Sequence, residues 1–337
     1  MKNIFCPNTP TMSSGVEQMP FQLGRQPSLF VPGLLIALLV SACTPVQPVS
    51  APVAAMRTIT DAGANPVTVP VAPQRVVTLS EQDLDGALAL DVKPVGSVNG
   101  RGQPGLPAYL GERTEGIASV GSLAEPSLEA IAALDPDLIL VGGVFPALAA
   151  LLPQLREIAP TVITYNLTDD WQSAFRGTAA ALNKETEVEA FLDGYGKRVA
   201  ELRASLGEEA GATVTIARWM PDGPVIMAHD AFASLIVRDL GWVRPEAQQA
   251  IAGYAHTELL SLEQLEQLDA DRLFIGVLNA DGLTALQSAA ANPLFQQLDV
   301  VRQQRVVEVD GTIWTSRGGP LATGIVLNDI AAALAAP

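Results

Sequence analysis

Residues 127–141 read SLEAIAALDPDLILV, and residues 261–275 read SLEQLEQLDADRLFI. The two stretches match without a gap at an offset of 134. Ser127 aligns with Ser261, Glu129 with Glu263, Leu134 with Leu268, Asp135 with Asp269 and Asp137 with Asp271. Each reads as a helix that a serine can cap, a turn at an aspartate, and an apolar strand. Solenoid repeats recur every ~20–50 residues, so two copies this far apart are not an array. They are equivalent helix–strand units of two similar lobes. The 337 residues suit about two domains.

A proline-free stretch at 169–206 separates the copies. Its apolar positions Ala181, Val188, Phe191, Leu192, Tyr195, Val199 and Leu202 recur at helical spacing. It predicts one long helix or two in line, interrupted at Asn183. Before it, a hairpin leads into strands over 76–79, 95–98, 138–141 and 161–165, with helices over 83–90 and 147–157. After it, strands are predicted over 213–217, 225–228, 273–277 and 305–309, with helices over 232–240, 293–298 and 321–335. Alternating strands and helices imply parallel sheets covered by helices. The runs VVTL and LILV lack polar alternation, as strands buried on both faces do. The expected fold is therefore α/β, two Rossmann-like parallel-sheet lobes with a ligand cleft between them.

The N-terminus carries a different signal. Residues 29–40, LFVPGLLIALLV, form an apolar run too short to span a bilayer but suited to a signal-peptide core. It ends in VSAC, which resembles a bacterial lipobox with Cys43 as the lipidated residue. Residues 44–56 are rich in Pro, Val and Ala and uncharged, and read as an extended tether. The expected organisation is signal peptide 1–42, tether 43–58, first lobe 59–168, linking helix 169–207 and second lobe 208–337. Cys6 is the only other cysteine, so the mature chain is expected to hold no disulfide. A net charge of -16 without a Lys/Arg-rich run argues against a nucleic-acid partner.

The lipobox, the tether, PQRVVTLS, KPVGS, SLEAIAALDPDLILVGG, the central helix and LFQQLDVVRQQRVVEVDGTIW occur in that order. Together they resemble the substrate-binding lipoproteins of iron–siderophore ABC importers, over residues from about 59 onward. The resemblance implies lobes joined by a rigid helix, small closure on ligand, and no catalysis or resident cofactor. It implies a ferric siderophore ligand, with cobalamin or haem as the alternative within the same fold. It implies two permease subunits with a cytoplasmic ATPase as partners, and an exported chain held to a membrane by its lipid. One departure concerns DLDGALALDVKPVGS, where Asp85 and Asp91 stand near the family's usual Glu and Gly.

Glu129 and Glu263 each lie two residues after a serine, in a first helical turn where acids complement the macrodipole. In the resembled family, a glutamate at this place on each lobe docks on an arginine of each permease subunit. Candidate ligand residues are Arg101, Arg218, Trp219, Trp314 and Arg317, read as lying just beyond strand ends, Tyr165, which ends a first-lobe strand, and Trp171, which opens the long helix. Guanidinium forks match the oxygens around chelated iron, and aromatic faces cover an organic frame. Gly142-Gly143 after LILV reads as a tight turn or a close backbone approach at the cleft floor.

His229 and His256 are the only histidines, a thin set for a bare metal ion. No G-x-S-x-G, C-x-x-C, H-E-x-x-H or Walker motif is present. A binder rather than an enzyme is the expectation.

Overall fold

The computed structural model describes residues 55–251 and 255–335. The signal-peptide reading, Cys43 and most of the tether lie outside them. Strands β1 (Met56–Thr60) and β2 (Pro66–Pro70) pair antiparallel. Met56 to Thr58, expected in the tether, are thus already part of a hairpin. The Asp61 carboxylate accepts the Asn65 N–H at 2.8 Å and closes its turn.

The first lobe holds β3 (Val76–Thr78), β4 (Gly96–Ser97), β5 (Ala118–Ser119), β6 (Leu138–Gly142) and β7 (Thr161–Tyr165). They form a parallel sheet in the order β5-β4-β3-β6-β7. The chain winds outward from β3 in one direction and from β6 in the other, so the topological switch lies between β3 and β6. Every residue of β6 is buried, which explains its unbroken apolar run.

The second lobe holds β8 (Val214–Met220), β9 (Gly223–Ile226), β10 (Arg272–Val277) and β11 (Val306–Asp310), in the order β11-β10-β8-β9. β8, β10 and β11 are parallel, but β9 runs antiparallel to β8. The expectation of a purely parallel sheet fails at this edge. The cause is the turn Pro221-Asp222-Gly223, where Gly223 has φ 141 and reverses the chain within two residues.

The repeated phrase has one structural job in both lobes. Asp137 accepts the N–H groups of Gln74 (2.7 Å) and Arg75 (2.9 Å), just before β3. Asp271 accepts the N–H and the hydroxyl of Thr213, both at 2.7 Å, just before β8. Each carboxylate satisfies donors at the entrance of the adjacent parallel strand and fixes its register.

Two helices join the lobes, Trp171–Leu182 and Glu185–Ala204. The break falls at Asn183, with φ 60 and ψ 46, a left-handed conformation that Asn tolerates. The C-terminal helix Pro320–Ala335 packs on the linking helices, on helix Glu81–Ala89 of the first lobe and on helix Phe232–Asp239 of the second. One apolar cluster runs through all of these, including Leu140, Phe175, Leu192, Ile216, Phe274 and Val326. Buried Asp85 of the first lobe adds a polar joint. It accepts N–H groups of Leu321 (2.7 Å) and Ala322 (3.1 Å) and the Tyr109 hydroxyl (2.7 Å). Burial nevertheless pushes its carboxyl up to about 6. Separating the lobes would open this core, at about 1.5–3 kcal/mol for each large apolar side chain exposed. The spine between the lobes is therefore stiff.

Candidate functional site

A cleft of 830 Å3 lies between the lobes, within the roughly 300–1,000 Å3 common for small-molecule sites. The first lobe lines it with residues that follow β4, β5, β6 and β7, namely Asn99–Pro104, Ser122–Ala124, Phe145 and Leu167. The second lobe supplies Arg218 near the end of β8, Met227, His256 and the loop Thr315–Arg317. These are the carboxyl ends of the parallel strands, where open α/β sheets place their ligands.

Three arginines converge on this cleft, from both lobes. Arg101 is exposed on the loop after β4. Arg218 is only 5% exposed and donates its Nε–H to Thr315 Oγ1 at 3.0 Å and a terminal N–H to the Thr315 carbonyl. Its acceptors are neutral, and no carboxylate lies within ion-pair distance of it among the described residues. Burial and then the nearby Arg101 push its pKa down to about 10. Arg317 is half-buried and donates to the Leu167 carbonyl across the cleft at 2.9 Å. A desolvated cation held by neutral acceptors is poised for an anionic ligand, because ligand oxygens would supply the missing counter-charge.

The aromatic half of the sequence expectation is corrected. Trp171 is 3% exposed and packs edge-on against Tyr195 at 4.8 Å, inside the helical spine. Trp219 does not follow a strand, as read from the sequence, but lies within β8, which runs to Met220. Side chains alternate along a strand, so Arg218 and Trp219 point to opposite faces, and Trp219 packs on Phe295 at 5.8 Å. Trp314 is fully buried, because helix Gly311–Trp314 turns it under the sheet. It stacks on Phe274 at 4.4 Å and donates to Asp329 at 2.8 Å. All three tryptophans are core residues.

Tyr165 is buried beside the cleft rather than in its main chamber. Its ring fills the space over Gly142 and Gly143, where a Cβ would lie 1.9 and 2.9 Å from ring carbons. The two glycines are thus a close approach, and Gly143 (φ 60) is also a turn. Sequence reasoning missed Phe145, Leu123, Met227 and His256, which line the cleft. None of them is an arginine or a tryptophan, and only a position after a strand end marks them in the sequence. Sequence reasoning also missed Glu81, which reads as a routine acid in a first helical turn.

Glu129 and Glu263 are exposed, outside the cleft, on helices Leu128–Ala133 and Leu262–Leu268. Ser127 Oγ accepts the Ala130 N–H at 3.1 Å, and Gln264 Oε1 accepts the Ser261 N–H at 2.9 Å. The serine caps are therefore served without either glutamate, although a hydrogen bond with Ser261 lowers the Glu263 pKa. Among the described residues, no three His, Cys, Asp or Glu side chains are grouped to hold a metal ion.

Two lobes, a stiff helical spine and a cation-lined cleft at the strand ends define a cleft-type ligand-binding protein. The sequence matches the family described as periplasmic binding protein over residues 83–312. The chain belongs to that family. It is 32% identical to the probable siderophore-binding lipoprotein YfiY of Bacillus subtilis, over 82% of this chain and 85% of that one. It is 30% identical to the Fe(3+)-citrate-binding protein YfmC of the same organism, over 72% and 75%. Among solved structures it resembles Staphylococcus aureus SirA complexed with staphyloferrin B, with a TM-score of 0.73 and 26% identity over 82% of this chain and 98% of that one.

Proposed function

We propose that this protein is the extracytoplasmic binding component of an ABC importer, capturing a ferric siderophore and delivering it to a permease. The observation that carries the reading is the convergence of Arg101, Arg218 and Arg317 from both lobes on one cleft. A ferric chelate built on carboxylate oxygens is anionic, and guanidinium groups match such oxygens in geometry and charge. The relatives named for siderophore and Fe(3+)-citrate support the same ligand class. Binding without turnover fits a site made of charged forks and apolar cover.

Delivery follows from the paired exposed glutamates. Glu129 and Glu263, one on each lobe, dock on two permease subunits, and an ATPase drives transport on the cytoplasmic side. Lipidation of Cys43 holds the exported chain at the membrane. Among the described residues no helix is long and apolar enough to cross a membrane.

The test is a thermal-shift and calorimetric screen of the purified protein against ferric citrate, ferric siderophores of other chelating groups, cobalamin and haem. A rise in melting temperature that grows with ligand concentration identifies the ligand. Stabilisation by cobalamin or haem alone would refute the reading.

A further inference from the structure

The cleft has a small side chamber of 40 Å3, bounded by Ser80, Glu81, Gly142, Tyr165 and the arginines Arg101 and Arg317. It lies at the carboxyl ends of β3 and β6, at the topological switch of the first-lobe sheet. It shares Arg101, Phe145, Leu167 and Arg317 with the main cleft, so the two are continuous. Its volume suits one small polar group and is far too small for a chelate.

Glu81 is the unusual member. It is only 8% exposed. One carboxylate oxygen accepts the Arg101 backbone N–H, and the other makes no hydrogen bond among the described residues and stays open to solvent. A place in the first turn of helix Glu81–Ala89 makes an acid tolerable there. It does not account for a side chain this buried that keeps one carboxylate oxygen open at the edge of a cleft, where a ligand donor can take the place of water. Burial raises the Glu81 pKa, the cost of such a position.

We infer that Glu81 is a specificity-determining residue, accepting a hydrogen bond from a donor group, a hydroxyl or a protonated amine, on an arm of the ferric chelate. The inference rests on the ferric-chelate reading of the cleft and deepens it. The arginines take the anionic oxygens around iron, and the side chamber selects among chelates by what else they carry. A ligand whose arms end in acceptors or apolar groups leaves the carboxylate desolvated and unpaired, which weakens its binding.

Three ferric citrate monoamides provide the test, alike except that the amide arm is propyl, 2-hydroxyethyl or 2-aminoethyl. Their affinities for the wild-type protein and for Glu81→Met, which keeps the length but removes the acceptor, are measured by calorimetry, with circular dichroism to establish that the variant is folded. The selectivity ratio is the readout, because any uniform loss of affinity cancels in it. The wild type is expected to prefer a donor arm over propyl by about ten-fold or more. Loss of an aminoethyl preference in Glu81→Met identifies ammonium as the partner, and loss of a hydroxyethyl preference identifies the alcohol. Equal affinities for all three in the wild type, or a donor preference that survives Glu81→Met, would overturn the inference. Failure of the wild type to bind any ferric chelate would instead remove the ferric-chelate reading, and this inference with it.

Discussion

Replacing Arg218 by methionine separates binding from stability. The side chain is buried, charged and, among the described residues, hydrogen-bonded only to Thr315. A pKa brought from 12.5 to about 10 corresponds to about 3 kcal/mol against the cation in the folded protein. Methionine fills a similar volume without charge, so that cost disappears. Against it stand two lost hydrogen bonds, each worth about 0.5–1.5 kcal/mol net. The balance is a folded state more stable by roughly 1 kcal/mol, or about 2 °C in Tm for a chain of this size. Affinity for a ferric chelate moves the other way. Losing one charge-assisted contact of about 1.5–3 kcal/mol weakens binding by about 10- to 150-fold. Urea denaturation gives the first quantity and calorimetry with ferric citrate the second. Destabilisation by more than about 2 kcal/mol would show that Arg218 is a structural strut. Unchanged affinity would remove it from the ligand site.

Further outcomes follow from the same structure. Trp314→Ala empties the stack on Phe274 and should cost about 3–5 kcal/mol in denaturation, while the folded fraction binds ligand as before; a selective loss of affinity would return Trp314 to the cleft. The raised Asp85 pKa means that the folded state holds a proton between pH 3.8 and about 6 that the unfolded chain releases. This group therefore favours folding as pH falls through that window, by at most about 3 kcal/mol, and Asp85→Asn should flatten the dependence; an equal or steeper slope between pH 4.5 and 7.5 in the variant would contradict this. Gly319→Ala puts a Cβ 2.6 Å from Asp85 Cγ and should cost about 1–3 kcal/mol by overcrowding, read as a lower urea midpoint. The double variant Glu129→Ala/Glu263→Ala should abolish iron uptake in cells yet leave ligand affinity intact; affinity falling in step with uptake would remove the docking role.

The lobes were legible because their signals are local and repeated. Leu138–Gly142 is apolar throughout because helices cover both faces, and the Asp137/Asp271 pair recurs because each lobe needs the same strand entrance fixed. The break at Asn183 was also readable, since Asn is one of few residues that ends a helix in the left-handed region. The site was harder, because it depends on where strands stop. Reading β8 as ending at Ala217 put Trp219 in a ligand loop, but three more residues of strand turn it into the core. Trp314 moved inward for a similar reason, a four-residue helix directly after β11. The C-terminal helix, expected in the second lobe, also caps onto Asp85 of the first, a pairing across 236 residues that no local pattern encodes. Glu81 stayed hidden because an acid opening a helix is ordinary until its burial is known.

A ferric chelate lying between the two lobes against Arg101, Arg218 and Arg317 is the centre of the proposed function. A crystal of the protein grown with ferric citrate or a ferric siderophore, measured on both sides of the iron absorption edge, tests this directly. The expected result is one anomalous iron peak inside the cleft, with chelate oxygens within hydrogen-bond distance of the three guanidinium groups and no protein atom bound to the metal. An iron peak elsewhere, or iron ligated directly by protein side chains, would contradict it.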